Sequence, residues 1–353
     1  MATLFLSSNR VRVNRLKAGL TQAQLAERAG ISRSAVTAIE SNRLVPSVTA
    51  AIGLAEALRQ SVEELFGNNT KTSTEVVWES KPLLGDSMVW RAEVGGRIVH
   101  YPASTLPMSV PLPDFCDTNS RSAESSASDT LVIASCDPAA GLLASCFSQM
   151  TGLKILVLPR SSSQSVELLR QGLVHFAGIH LSTNEEPNKN IQFVQSKLQE
   201  NFQTLRIAKW QEGIAIRSNS KVRSVRGVTK SSLKWVARET GSGARRCLDQ
   251  LFGDRPVPRL VAGSHRQVAD SIRSEMADVG ICVQLASAEA GLNFLPIQEE
   301  SFDLCFTTAT ENDRRIKALI STVRSATYRG LLGKLPGYNA SETGEMEKHN
   351  ASN

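Results

Sequence analysis

The sequence of 353 residues contains no apolar run of the roughly 18 to 20 residues that a membrane-spanning helix needs. Its first residues also lack the basic stretch and long apolar segment of a secretory signal. From these two absences we expect a cytoplasmic protein without a membrane partner.

The cysteine pattern is that of neither a disulfide framework nor a metal site. No two cysteines have C-x-x-C spacing, and none has a nearby histidine at metal-ligand spacing. The six are Cys116, Cys136, Cys146, Cys247, Cys282 and Cys305. We therefore expect reduced thiols, no metal and no cofactor.

The common sequence signatures of enzymes are missing too. There is no G-x-S-x-G elbow, and the Gly-Ser-Gly turn at 241–243 fits neither a P-loop nor a dinucleotide fingerprint. Cys136 beside Asp137, together with the lone His180, leaves a cysteine nucleophile formally open. The interpretation that the sequence favours is nevertheless a protein that is not an enzyme.

Length and charge indicate several domains with different tasks. A chain of this length can bury two or three separate cores. The net charge is +6, and residues 1–60 alone carry eight Lys or Arg against three Glu, a surplus of five. Most of the excess positive charge therefore lies in one small N-terminal unit, as a surface that binds DNA phosphates requires.

Residues 9–66 have the pattern of five short helices. Thr21 and Gln24 form a capping box that opens a helix over 22–29, and Gly30 closes it. Ser32 caps the next helix. The pattern predicts a compact all-α domain, which we place at residues 1–67.

The stretch from Leu20 to Arg43 resembles the XRE/Cro family of helix-turn-helix repressor domains, and the resemblance covers residues 9–66. The matching features are Thr21-Gln22, Ala26, Gly30, Ile31, Ser32, Val36, Ile39-Glu40 and Asn42-Arg43. The first helix departs from the family at Val13 and Asn14, which leaves its packing register open.

This resemblance implies double-stranded DNA as a partner and two kinds of contact. Gln22, Asn42 and Arg43 would contact phosphates, whereas the second helix would present its side chains to base edges. With the cap, the second group is Ser32, Arg33, Ser34 and Thr37. The alternative is that Arg33 and Arg43 are solvated charges on a small helical bundle.

Residues 68–128 form a connector in this interpretation. Its ends, at 68–73 and 117–128, are polar or rich in serine and have the composition of flexible linkers. Between them three strand-like runs, at 76–78, 88–92 and 97–101, predict a small β-meander with a Gly95-Gly96 turn. The sequence assigns this piece no function.

From residue 129 to about 340 the pattern is strand, loop and helix, repeated in two sets. We expect two α/β lobes, with the chain crossing between them near Trp210 and again near Glu299, so that a cleft lies between the lobes. Residues 341–353 are predicted to be a disordered tail.

Four segments of this region resemble the ligand-binding loops of periplasmic-type solute-binding proteins, in particular a molybdate-binding-like domain found behind such helix-turn-helix modules. The resemblance covers about residues 129–335 and implies a two-lobed fold of type II. The first segment holds Ser135 and Asp137 at a strand end, and the third holds His180. Asp137 could equally be an N-cap, and His180 a structural or hinge residue.

The other two segments are turns between a strand and a helix. One contains Ser161, Ser162 and Ser163, whose hydroxyls could donate to an oxyanion or simply cap a helix. The other, a Gly-Ser-Gly turn, is where a helix N-terminus and arginines suit an anion. Its candidate residues are Arg238, Gly241, Ser242, Gly243 and Arg245.

Together these features predict a ligand-responsive DNA-binding transcription regulator. Because one DNA-binding head covers a half-site, we expect a homodimer. The resemblance suggests an oxyanion such as molybdate or tungstate, while a small organic acid or other metabolite fits the same loops. The remaining alternative is a second domain that only dimerises.

Overall fold

The computed structural model describes residues 10–66, 76–80, 89–102 and 127–351. The chain divides into two compact units, Met1–Thr74 and Glu75–Asn353. No helix within the described residues is both long and apolar enough to span a bilayer.

The first unit is the predicted bundle of five short helices. They are α1 Val11–Lys17, α2 Gln22–Ala29, α3 Arg33–Glu40, α4 Val48–Leu58 and α5 Val62–Phe66. Thr21 and Gln24 form the expected capping box, Gly30 ends α2 in the left-handed region at φ +65°, and the Ser32 side chain caps α3. Leu25, Val36, Ile39 and Leu54 fill the core. The bundle is therefore held together by the apolar faces of its amphipathic helices.

The packing register of α1, which the sequence left open, is set by a buried charge. Val11 and Arg15 face inward, whereas Val13 is 53% exposed. The Arg15 guanidinium donates to the Glu40 carboxylate at 2.6 Å and to the Leu20 carbonyl at 2.8 Å. This pair ties α1 to the end of α3.

The second unit begins with a three-stranded sheet that differs from the predicted meander. Its strands are β1 Val76–Trp78, β2 Val89–Val94 and β3 Arg97–Pro102, in the order β1-β3-β2. β2 and β3 form the expected antiparallel hairpin, but β1 is parallel to β3. A meander pairs each strand with the next one in the chain, in antiparallel fashion. Here β1 pairs with β3 and not with β2, so that part of the prediction is wrong.

This sheet is also part of the α/β unit and not a free connector. The Tyr101 hydroxyl donates to the Leu173 carbonyl at 2.6 Å, and Arg97 donates to the Gln171 carbonyl at 2.7 Å. Trp90, Val94 and Val99 pack into the same apolar cluster as the first lobe. The linker predicted at 68–73 lies outside the described residues, as do all but the last two residues of the one at 117–128.

The first lobe follows, with strands and helices alternating. Its elements are β4 Thr130–Ser135, α6 Ala140–Thr151, β5 Lys154–Pro159, α7 Ser162–Arg170, β6 Phe176–Thr183 and α8 Lys189–Gln195. The 15-residue strand β7, Phe202–Ile216, then leads into the second lobe.

The second lobe repeats the pattern with α9 Val225–Lys230, β8 Trp235–Arg238, α10 Gly243–Phe252, β9 Leu260–Ala262, α11 His265–Arg273, β10 Val279–Val283 and α12 Gln284–Glu289. Strand β11, Asn293–Thr307, returns the chain to the first lobe. A short 3₁₀ turn, Thr308–Thr310, and helices α13 Arg314–Arg324 and α14 Ala326–Leu332 complete the first lobe.

One continuous sheet runs through both lobes in the order β5-β4-β6-β11-β7-β10-β8-β9. The long strands β7 and β11 are antiparallel neighbours, with Trp210 opposite Glu300. The chain therefore crosses between the lobes at the two predicted positions, and the architecture is the expected two-lobed α/β fold. Within each lobe the parallel strands end toward the cleft, where ligands of open α/β sheets bind.

Residues 341–351 are folded onto the α/β unit, which corrects the prediction of a disordered tail at 341–353. Strands β12 Tyr338–Asn339 and β13 Met346–His349 both pair with β7 in antiparallel fashion. Glu342 bridges Arg206 and Lys209 on β7. The tail has few apolar residues, so its composition gave no sign that it would be held by strand pairing and ion pairs instead of a core.

Candidate functional site

The first predicted loop follows β4 at the cleft. Ser135 is buried, and its hydroxyl accepts from the Asp137 amide at 3.1 Å. The Asp137 carboxylate accepts from the Ala139 amide at 2.8 Å and from the Tyr338 hydroxyl. Burial raises the pKa of Asp137 to about 6, although these two donors act in the opposite direction. Both side chains therefore hold the turn before α6 by bonds within the protein.

In the serine turn before α7, Ser161 and Ser162 also bond within the protein. Ser161 forms a capping box with Gln164, and the buried Ser162 hydroxyl lies 3.4 Å from the His180 amide. Ser163 faces the other lobe: a β-carbon added to Gly241 would overlap the Ser163 hydroxyl. The serine turn is thus a contact surface between the lobes.

The Gly-Ser-Gly turn of the second lobe closes against the first lobe. Gly241 has φ +88°, a left-handed conformation that favours glycine. Ser242 caps α10 by accepting from the Arg245 amide, and a β-carbon on Gly243 would lie 2.6 Å from the His180 ring. Close approach of two backbones therefore requires glycine at both positions.

The arginines of α10 take roles other than those predicted. Arg245 pairs with Asp249 on the same helix at 2.8 Å, so its charge is engaged within α10. Arg246, which the sequence did not select, crosses to the first lobe, where it donates to the Leu181 carbonyl at 2.9 Å and pairs with Glu186. Arg246 helps to hold the lobes together.

Arg238, at the end of β8, is 1% exposed. Its Nε and Nη2 donate to the Glu239 carboxylate, each at 2.8 Å. Its Nη1 is buried and has no hydrogen-bond partner within the described part of the chain. A buried guanidinium nitrogen without an acceptor is costly, so this position calls for a partner that the described residues do not supply.

At the centre of the cleft His180 links both lobes. Its Nε2 lies 3.0 Å from the Cys136 sulfur, and its Nδ1 lies 2.8 Å from Glu300 Oε2. The same carboxylate accepts from Trp210 Nε1 at 3.0 Å. Its other oxygen accepts from Gln298 at 2.9 Å. His180 is therefore fixed between a thiol and a carboxylate, and both groups are buried.

Two further titratable residues border this cluster. His265 opens α11; its Nδ1 accepts from the Val283 amide at 3.3 Å, and its buried Nε2 has no partner among the residues described. Glu212 on β7 accepts from Gln298 at 3.1 Å with one oxygen, while its buried Oε1 lacks a partner in the described structure.

Burial determines the protonation of the cluster. It lowers the pKa of His265 well below its usual value, helped by Arg238 and His180, so the ring is neutral. It raises the pKa of Glu212 well above the usual range, and the charge of Glu300 adds to this effect. For His180 burial acts downward, but Cys136 and Glu212 outweigh it and raise the pKa.

A separate cavity of about 280 Å³ in the same unit contains none of the predicted site residues. Arg206 lies on its wall and is paired with Asp303 at 2.6 Å and Glu342 at 2.7 Å. Its charged groups are thus already engaged with one another, and we do not assign it a ligand.

In the helical unit the predicted DNA-contacting side chains differ in exposure. Arg33, Ser34 and Arg43 are exposed, and the Ser32 hydroxyl caps α3. Gln22 is half-buried and donates to Glu40 at 2.8 Å, while the Thr37 hydroxyl donates to Gln22 and to the Arg33 carbonyl. Gln22 and Thr37 thus join α2 to α3. Asn42 adopts φ +56° in the turn after α3.

Comparison with known proteins supports the two-part architecture. Residues 144–324, slightly more than half of the chain, match the PBP superfamily domain, and residues 11–65 match the helix-turn-helix family. The chain belongs to the PBP superfamily. Its N-terminal unit is a helix-turn-helix domain of the XRE type, fused to the PBP-like domain.

Two relatives match different parts of this PBP-family protein. The protein YvgK of Bacillus subtilis (strain 168) is 25% identical over 197 residues, which is 53% of this chain and 63% of YvgK. The chain thus spans less than two thirds of that relative. An HTH-type transcriptional regulator of Methanothermobacter thermautotrophicus is 42% identical over 57 residues, 16% of this chain and 83% of that protein.

Solved structures that resemble the chain include an ABC-type phosphate transport receptor from Vibrio cholerae, with 17% identity and a TM-score of 0.42. The alignment covers 59% of this chain and 98% of the receptor. Another is PhnD1 from Prochlorococcus marinus in complex with methylphosphonate, with 12% identity and a TM-score of 0.44, covering 61% and 93% of the two chains.

Several residues of the PBP-like site were not selected from the sequence. Glu212 and Glu300 lie on the two long strands, 88 positions apart in the chain, and meet only because β7 and β11 are neighbours. His265 had been noted only as the opening of a helix, and Cys136 only as a formal nucleophile. No local spacing could have brought these residues together, because the sheet topology does so.

Proposed function

We propose that this protein is a ligand-responsive, DNA-binding transcription regulator whose PBP-like domain binds a small anion between its two lobes. We infer an anionic ligand from the state of Arg238. Its side chain is buried at the end of β8, and its Nη1 has no acceptor in the described structure. An anion would supply the missing acceptor in a charge-assisted hydrogen bond.

The start of α10 supports the same ligand class. This ten-residue helix begins at Gly243, where the second lobe touches His180 of the first. The unpaired amides of a helix N-terminus carry partial positive charge and favour a nearby anion. Ser163 borders the same contact and offers a hydroxyl without adding charge.

The lobe contacts suggest how binding would be transmitted. Gly243 against His180, Gly241 against Ser163 and Arg246 on the Leu181 carbonyl all form only while the cleft is closed. An anion that bridges Arg238 and the first lobe would favour this state over an open one. In a homodimer, closing both sensor domains would change how two helix-turn-helix heads meet their half-sites. In this proposal the cleft binds its ligand and does not turn it over.

Within the anions, we propose a tetrahedral oxyanion, with molybdate and tungstate as first candidates. Small organic acids present the same acceptor chemistry and form the next group to examine. The proposal further assigns phosphate contacts to Arg43 and Asn42 and base contacts to Arg33 and Ser34, with the cytoplasm as the site of action.

Calorimetric titration of the full chain with molybdate, tungstate, sulfate and phosphate tests the ligand. We expect selective binding of one of them, lost in Arg238→Gln and kept in Arg273→Gln, a matched change at an exposed position of α11. If none of the four binds, a thermal-shift screen of small organic acids follows, since a bound ligand raises the melting temperature. If neither the oxyanions nor the organic acids bind, the proposed anion site is wrong, and the alternative of a domain that only dimerises remains.

A further inference from the structure

We propose that Cys136, His180 and His265 form an interlobe binding site for a divalent transition-metal ion of the zinc type. One potential ligand atom from each of the three residues lies within 4.8 Å of the others. All three side chains are buried. The proposal goes beyond the anion site, since it concerns different atoms and a cation.

The donor set is typical of zinc and its neighbours. A thiolate and two imidazoles are borderline-soft ligands, which select such ions over magnesium or calcium. In a tetrahedral zinc site two ligand atoms are about 3.5 Å apart. The Cys136 sulfur and His180 Nε2 are 3.0 Å apart, so a small separation of these side chains admits the ion. The proton shared by this pair would leave when metal binds.

His180 is already oriented as a metal ligand. Its Nδ1 lies 2.8 Å from Glu300, which is itself fixed by Trp210 and Gln298. When Nδ1 donates to this carboxylate, the lone pair of Nε2 points toward Cys136. A carboxylate behind the imidazole is the usual outer shell of a metal-bound histidine.

His265 provides the second, independent observation. Its Nε2 is fully buried and bonded to nothing that the structure describes, which is unusual for a polar atom. Coordination through Nε2 places the ring proton on Nδ1. Nδ1 can then no longer accept from the Val283 amide, but at 3.3 Å this contact is long for a hydrogen bond. A metal bond replaces this weak contact and satisfies the orphaned nitrogen.

The surrounding charges accommodate a cation. Arg238 is positive, but Glu239 is paired with it at 2.8 Å. One carboxylate oxygen each of Glu212 and Glu300 lies within 4.8 Å of a ring nitrogen of His180, so two acidic groups stand beside the proposed site. An anion on Arg238 Nη1 would further offset the charge of the ion.

The proposed metal ligands come from both lobes, so metal binding would affect the closure of the cleft. Cys136 follows β4 and His180 lies in β6 of the first lobe, whereas His265 begins α11 of the second. A bound ion would therefore fasten the cleft in its closed state. Metal would act as a second input on the conformation to which the anion responds.

Cobalt(II) titration of the reduced full chain tests the site, because cobalt reports both its sulfur ligand and its geometry by absorption. We expect one ion per chain, a thiolate-to-cobalt charge-transfer band and tetrahedral visible bands, all displaced by zinc. Cys136→Ser should lose the charge-transfer band, whereas Cys146→Ser, a buried cysteine of α6 outside the cluster, should keep it.

The absence of a charge-transfer band, or its persistence in Cys136→Ser, would overturn the proposal. Should Cys136→Ser not fold, His265→Gln provides the same test by losing the tetrahedral bands. Repeating the anion calorimetry with chelator present separates the two claims, because anion binding that survives chelation stands even if the metal site fails.

Discussion

Gly243 of the second lobe packs so closely on His180 of the first that an added β-carbon would lie 2.6 Å from two atoms of the imidazole ring. No side chain fits there while the cleft is closed. The contact therefore makes closure depend on a glycine.

Gly243→Ala should hold the lobes apart. Overpacking of this kind costs about 1–3 kcal/mol, which corresponds to about a 5- to 150-fold loss of affinity for the bound anion. X-ray scattering should show a larger radius of gyration in the presence of anion than for the unaltered protein. Gly330→Ala in α14, where an added β-carbon meets nothing within 4 Å, serves as the control and should bind normally.

The Arg15–Glu40 pair should stabilise the helix-turn-helix unit in a pH-dependent way. Although burial alone would raise the Glu40 pKa, bonds from Arg15 and Gln22 hold it below its usual value. The stabilisation is thus fully present above the ordinary glutamate pKa and is lost as pH falls through the lowered one. Glu40→Gln should cost about 2 kcal/mol at neutral pH and progressively less in acid.

Urea unfolding followed by circular dichroism measures this effect. All four tryptophans lie beyond residue 74, so their fluorescence reports the other unit and is the internal reference. A Glu40→Gln penalty that stays constant from pH 7 to below pH 4 would contradict the proposed role of the carboxylate.

Arg33 and Arg43 should differ in what they contribute to DNA binding. Arg43→Ala removes a proposed phosphate contact, so it should weaken binding to all sequences and lower the slope of log affinity against log salt by about 1. Arg33→Ala should instead change which sequences are preferred. Binding-site selection at several salt concentrations distinguishes the two, and equal, sequence-blind losses would count against the assignment.

Removing residues 341–353 should destabilise the PBP-like domain. The deletion takes away β13, the Glu342 ion pairs and the bond from the Thr343 hydroxyl to the Ile207 carbonyl. At about 1 kcal/mol for each net hydrogen bond, the loss should reach about 3 kcal/mol or more in urea unfolding followed by tryptophan fluorescence. Lys348→Ala, which breaks an exposed pair with Glu311, should cost less than about 1 kcal/mol. Unchanged stability of the truncated protein would instead support the original prediction of a disordered tail.

The sequence was most informative where local rules determine structure. Thr21, Gln24 and Gly30 set the bounds of α2 because caps act within one helical turn. Alternation of strand and helix after residue 128 likewise predicted two α/β lobes and their crossings. The loops at Ser161 and Gly241 were correctly placed at strand-to-helix turns, although Arg245 is paired with Asp249 of its own helix.

Local rules could not predict which distant strands pair with each other. The parallel position of β1 and the return of β13 to β7 depend on partners far away in the chain. The central cluster has the same origin, since Cys136 follows β4, His180 lies within β6 and His265 begins α11. Their individual spacings are uninformative, and only the order of strands in the sheet brings them together.

The affinity of the full chain for DNA, with and without bound anion, tests the central claim most directly. A DNA site is first selected from a random library by the protein, and its Kd is then measured at fixed salt with the tightest-binding oxyanion absent or saturating. The account predicts a shift of about 5- to 150-fold that Arg238→Gln abolishes. An unchanged Kd, while calorimetry shows the anion bound, would contradict a ligand-responsive regulator.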